Sequence, residues 1–119
     1  MPRMAKLFVN IVTGPENPTR AALGLLIART AIAEGHEVTV FLAGDAVHFA
    51  RGATAEAANG VGTGSVSEHL EAIRGSGATI FLSGMSSKAR GIEGGDGYEL
   101  MRPQDLVELA TSADTQLVY

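Results

Sequence analysis

Short apolar runs alternate with longer stretches of helical spacing along this chain. Leu7-Phe8-Val9-Asn10-Ile11-Val12 is nearly continuous in apolar residues and predicts a buried strand that ends at the turn Thr13-Gly14-Pro15. Asn17 before Pro18 predicts a helix start, with Asn as the N-cap and Pro at the first helical position. That helix is expected to run to about Glu34 and stop at Gly35. Glu37 to Leu42 is the second predicted strand, ending at Ala43-Gly44-Asp45, with a short helix from Ala46 to Arg51. Gly52 to Gly64 reads as a flexible Gly/Ala loop with a helical turn around Ala55 to Ala58. Ser65 to Glu68 forms a capping box, and Val66, Leu70 and Ile73 then recur at helical spacing until Gly75-Ser76-Gly77. Ala78 to Leu82 is the third strand, followed by the turn Ser83-Gly84-Met85 and a short helix from Ser86 to Arg90. Gly91 to Gly97 reads as a second loop. Pro103 starts a helix with Leu106, Val107 and Ala110 facing inward, and Thr115 to Tyr119 is the last strand.

Strands alternating with helices predict an α/β domain with a mostly parallel sheet, right-handed crossovers and helices on both faces. The 119 residues suit one domain, 1–119. One helix changes the picture further. From Pro18 to Glu34 the charged residues are Arg20, Arg29 and Glu34. The two arginines lie about 180° apart at ~100° per residue. The helix is otherwise apolar almost all round, so it is expected to be buried on more than one side. A sheet covers one side, and a homo-oligomer interface is the expected cover for the other.

Composition closes several routes. There is no cysteine, which rules out disulfides, thiolate nucleophiles and sulfur-ligated metals within this chain. The net charge is −4 with scattered basic residues, which argues against nucleic acid and against anionic membranes. The longest apolar stretch, Ala21 to Ala33, is too short to span a bilayer. No secretory signal is read at Lys6 and beyond, so a cytoplasmic protein is expected.

In open α/β sheets, ligands bind beyond the carboxyl ends of the strands where strand order reverses. With an order of 2-1-3-4, that reversal falls between the first and third strands. Thr13, Gly14 and Asn17 would then face Ser83, Gly84, Met85, Ser86, Ser87 and Lys88 across one crevice. The second loop has chemistry for an anion. Gly84 permits a tight turn, Ser86 and Ser87 offer hydroxyls, and the helix start offers free N–H groups. Lys88 and Arg90 add positive charge. The plain alternative is a helix capped by Ser83 or Ser86 with both cations solvated. Gly60-Val61-Gly62-Thr63-Gly64 is neither a dinucleotide fingerprint nor a P-loop, because no strand precedes it and no Gly-Lys-Ser/Thr follows. His48 and His69 lack partners at metal spacing, and His36 opens a strand. No cofactor and no metal is expected. A hydrolase using Ser83 or Ser86 with His48 and Asp45 lacks support from residue order.

The stretch Gly77 to Ile92, with its string Lys88-Ala89-Arg90-Gly91-Ile92, resembles the DsrE/DsrF-like family, also called YchN-like. Phe8 to Pro18 and Glu34 to Leu42 with Gly44-Asp45 are similar to it as well, so the likeness covers nearly the whole chain. The resemblance implies a three-layer α/β/α, flavodoxin-like domain with strand order like 2-1-3-4, assembled as trimers or hexamers. It also implies sulfur-relay partners. Members with known roles pass a persulfide between cysteines, and in the branch resembled here those cysteines tend to fall where Ser83 and Ser86 stand. A serine hydroxyl cannot hold a persulfide. The resemblance therefore implies an oligomeric domain without sulfurtransferase activity of its own. Such a domain would bind a small anionic or sulfur-containing ligand or a partner, serve as a non-thiol component of a sulfur relay, or act as a structural subunit.

Overall fold

Most of the predicted apolar runs become elements close to their expected bounds. The computed structural model describes residues 3–119. In chain order it has β1 (Lys6–Ile11), α1 (Pro18–Ala33), β2 (Glu37–Leu42), a 3₁₀ helix (Gly44–Ala50) and α2 (Gly52–Ala57). A two-rung ladder of β3 (Asn59–Gly60) and β4 (Gly64–Ser65) leads into α3 (Val66–Gly75) and β5 (Ile80–Ser83). Then come α4 (Gly84–Ala89), β6 (Tyr98–Met101), α5 (Pro103–Ser112) and β7 (Thr115–Val118).

The local signals act as their chemistry requires. Asn17 caps α1 by accepting from the Arg20 N–H at 3.1 Å. Gly35 takes φ +92°, which ends that helix. Ser65 caps α3 by accepting from the Glu68 N–H at 3.2 Å. Two features depart from the reading of the sequence. The Gly52–Gly64 stretch is not a bare loop but holds α2 and the β3–β4 ladder. The strand β6 carries a buried-exposed-exposed-buried pattern with no period of two. It is a strand because it pairs in parallel with β5, from Ile80–Tyr98 to Ser83–Met101. Its outer rim is partly closed by its own chain, since Gly95 and Tyr98 exchange two backbone hydrogen bonds of 2.8 and 3.1 Å.

The main sheet is wholly parallel, in the order β6-β5-β2-β1-β7. This corrects the order 2-1-3-4, which put the third sheet strand beside the first. The physical reason is the face taken by each crossover helix. A parallel crossover is right-handed. A helix on one face therefore always lays the next strand on the same side of the previous one. Leu25 of α1 and Leu70 and Ile73 of α3 share one core with Val9, Val40 and Leu82. Both helices thus lie on the same face, and the sheet grows from β1 through β2 to β5. Ser87 of α4 and the following Ile92 are buried on that face too, and β6 continues the series. Only α5 crosses the opposite face, where Leu106 and Leu109 pack against Phe8, Phe41 and Met101. The direction then reverses, and β7 pairs with the far side of β1.

The flank of α1 away from the sheet packs against α3 and the β3–β4 ladder. Much of the apolar circumference of this helix is therefore covered within one chain, while Leu23 stays 37 % exposed. The opposite face of the sheet is covered more thinly. Phe8 and Phe41 stack at 6.2 Å there, but no residue of α5 is fully buried. Val107 is 60 % exposed, so it points away from the sheet and does not face inward as the spacing suggested. No helix among the described residues is long and apolar enough to cross a membrane.

Tyr98 sits in the main core with the Arg74 guanidinium 5.1 Å above its ring. Burial pushes the phenol above its ordinary value of 10.0, and the Arg74 charge opposes this in part. Above that ordinary value the unfolded chain loses a proton that the folded chain keeps. Stability is thus intact below about pH 10 and falls as pH rises further. Urea unfolding midpoints followed across that range are expected to drop in the wild type and to drop less in Tyr98→Phe. Identical slopes would count against a buried phenol.

Candidate functional site

The candidate loop leaves β5 at Ser83, where the chain turns into α4. Ser83 Oγ accepts from the Ser86 N–H at 3.1 Å and so caps the helix. The helix starts at Gly84, earlier than the expected Ser86. Ser86 Oγ accepts from the Gly44 N–H at 3.0 Å and ties α4 to the turn after β2. Ser87 is fully buried, and its Oγ has no hydrogen-bond partner among the described residues. Arg90 donates from Nε and Nη2 to Asp45 Oδ1, both at 3.1 Å, and from Nη1 to the Ser86 carbonyl at 3.0 Å. The polar atoms of Ser83, Ser86 and Arg90 are thus largely engaged inside the protein.

The loop after β1 does not face this segment across an open crevice. Because β2 lies between β1 and β5, the turn at Asp45 stands between the two loops. Gly14 packs directly on it; a Cβ at Gly14 would lie 2.3 Å from the Asp45 carbonyl oxygen, so only glycine fits. Thr13 donates from Oγ1 to the Tyr119 carbonyl at 3.2 Å, and Asn17 is spent on the cap of α1. The reversal of strand order lies between β1 and β7, and the Tyr119 carbonyl also accepts from the Val12 N–H there, at 3.1 Å.

Instead, α4 divides the expected site residues between two flanks. Ser86 and Arg90 face Gly44 and Asp45. On the other flank Gly84, Met85 and Lys88 line an open groove of about 330 Å³ with Leu100, Met101, Arg102 and Pro103. A second hollow of about 420 Å³, along Gly91, Ile92 and Glu93, shares Gly84, Lys88 and Leu100 with it. Met85 is 71 % exposed and Leu100 51 %, an apolar pair without cover. Arg102 forks onto Asp105 at 3.0 and 3.1 Å, and that hydrogen bonding holds the Asp105 carboxyl below its usual range. Lys88, by contrast, has no carboxylate partner among the described residues.

Spacing did not single out Leu100 as a site residue, because β6 carries no strand period, and Pro103 was legible only as a helix start. Asp45 was legible as a residue after the second strand, but its role as the anchor of Arg90 was not. Neither Ser83 nor Ser86 hydrogen-bonds a histidine among the described residues. His48 meets Arg51 and Asp45 instead, so a serine nucleophile has no base there. His69 is 5 % exposed and bonds the Thr63 carbonyl at 2.7 Å and Arg29 at 3.3 Å, a structural clamp on the β3–β4 ladder.

An all-parallel α/β sheet with a serine-capped short helix after β5 defines the class of domain. The chain belongs to the DsrE/DsrF-like family, whose model matches residues 5–119. This is the family that the Lys88–Ile92 string resembles. The crystal structure of the ychN protein from E.coli shares the fold with a TM-score of 0.79 at 21 % identity, covering 98 % of this chain and 100 % of that one. No curated protein matches the chain.

The two neighbouring serines of α4 separate by their partners. Ser86→Ala leaves the Gly44 N–H unpaired in a half-buried place and is expected to cost about 1–3 kcal/mol. Ser87→Ala removes a buried hydroxyl that has no partner among the described residues and is expected to be neutral or stabilising. Urea denaturation of the two variants side by side checks this ranking, and the reverse order would contradict the assignment of both hydroxyls.

Proposed function

We propose that this chain is a DsrE-like binding domain that carries no sulfur covalently. It holds a small anionic or sulfur-containing ligand, or a partner segment, in the groove between α4 and β6. One observation carries this reading: an ammonium group without a carboxylate partner, Lys88, stands beside the exposed apolar pair Met85 and Leu100. The ammonium suits an oxyanion or thio-anion, and the Met85 thioether suits a polarisable or apolar body. The groove lies beyond the carboxyl ends of β5 and β6, where parallel sheets take their ligands. Self-assembly as a trimer or hexamer belongs to the same reading. It is supported by exposed Val107 and Val118 on the thinly covered side of the sheet. Titration calorimetry with thiosulfate tests the groove. The wild type is expected to bind, and Lys88→Gln to bind about tenfold more weakly, the loss of one charge-assisted hydrogen bond. A wild type that binds neither thiosulfate nor sulfate would overturn the ligand reading.

A second reading, a non-thiol component of a sulfur relay, draws on one further observation. The Gly44 N–H points at Ser86 Oγ, the kind of donor that stabilises a thiolate. On this reading Ser86→Cys, treated with a persulfide donor, is expected to gain one sulfur atom by mass spectrometry. A variant that stays unmodified while its thiol reacts with an alkylating agent argues against an inherited sulfur site.

A further inference from the structure

The other flank of α4 carries a ring of polar and charged side chains, not hydrogen-bonded all the way round, that the groove does not use. It starts at the Arg90–Asp45 pair described above. Arg51 reaches back across the same space, donating from Nη2 to the Arg90 carbonyl at 2.8 Å and from Nη1 to His48 Nδ1 at 3.0 Å. A guanidinium only donates, so His48 Nδ1 is the acceptor and the ring proton of a neutral His48 sits on Nε2. Nε2 faces Asp45 Oδ1 at 4.0 Å, beyond hydrogen-bond reach. Asp45, His48, Arg51 and Arg90 thus enclose one patch beyond the carboxyl ends of β2 and β5.

The charges in this ring do not balance. Arg90 alone of the two guanidiniums meets the carboxylate, and the acceptors of Arg51 are a ring nitrogen and a backbone carbonyl. Arg51 spends two of the five N–H groups of its guanidinium on them, and the His48 Nε2–H has no acceptor within reach among the described residues. Among the described residues the Asp45 carboxylate makes its polar contacts through Oδ1, which leaves Oδ2 open. The side chains are reachable yet held: Asp45 is 55 % exposed, Arg90 29 % and His48 28 %.

We propose that this ring binds phosphate, free or as the end group of a small molecule. Arg51, Arg90 and the His48 Nε2–H donate to three of its oxygens. Asp45 Oδ2 then selects among anions. Phosphate keeps a proton on part of its population near neutral pH and can donate it to a carboxylate, with a second pKa of about 6 in phosphoryl esters. Sulfate has no such proton and meets Asp45 only as a like charge. This site is independent of the groove lined by Lys88.

Titration calorimetry of inorganic phosphate and of sulfate into the full chain carrying Lys88→Gln, in which the ammonium of the groove is gone, tests the proposal. Phosphate is expected to bind at least about tenfold more tightly than sulfate, the difference of one hydrogen bond to a charged group. In that background Arg51→Gln is expected to lower phosphate affinity about tenfold, and Asp45→Asn to abolish the preference over sulfate. Circular dichroism checks the fold of each variant, and Arg51→Lys, which keeps the charge but not the fork, gives a second measure of the same contact. Equal affinity for phosphate and sulfate, no phosphate binding, or Arg51 variants that titrate like Lys88→Gln alone would each overturn the proposal. Phosphate binding lost in Lys88→Gln alone would overturn it while leaving the groove reading in place. Thiosulfate binding retained in Arg51→Gln would separate the two sites.

Discussion

The handedness of the parallel crossover governs this molecule. A right-handed connection makes the packing face of each helix decide where the next strand is laid. With α1, α3 and α4 on one face, β2, β5 and β6 must follow β1 in a single direction. With α5 alone on the other face, β7 must return to the far side of β1. The order then places β2, and the turn that follows it, between the loops of β1 and β5. The open crevice expected between those loops is therefore filled by backbone, with Gly14 pressed on Asp45.

The short helix α4 is where this topology meets chemistry. It stands over the turn after β2 on one flank and over β6 on the other. Its serines act mainly as fasteners. Ser83 caps the helix, Ser86 holds Gly44, and Ser87 is sealed in the core. What remains for binding is carried by longer side chains that reach past the helix: Met85 and Lys88 outward, Arg90 inward to Asp45. A loop that reads in sequence as one anion cradle is thus two surfaces set back to back.

The legibility of the chain follows the range of its signals. Local ones were readable. Asn17–Pro18, Ser65–Glu68 and Gly35 mark helix ends by interactions within a few residues, and the structure uses all three. The apolar runs at β1 and β2 were equally plain. Long-range facts were not readable. The strand at Tyr98 exists through its pairing with β5, and exposed Leu100 followed by buried Met101 breaks the alternation. The strand order depends on which face α3 takes, and the amphipathic spacing of Val66, Leu70 and Ile73 is the same for either face. In the site, the residue types near the strand ends were legible, but their partners were not. Nothing near Arg90 in sequence points to Asp45 or Arg51, which lie 45 and 39 residues away. The missing cysteine was plain from composition, and the family gives it meaning.

The bridge between Gly95 and Tyr98 bears on how this sheet behaves among other molecules. Adding a foreign strand to a sheet requires a rim of unpaired N–H and C=O groups. At β6 the chain has folded back and filled part of that rim with its own backbone. The opposite rim, at β7, has no such cover among the described residues. A row of molecules joined rim to rim needs two open edges on each member. With the start of one rim filled by its own chain, less of the edge at β6 than at β7 is left for a foreign strand.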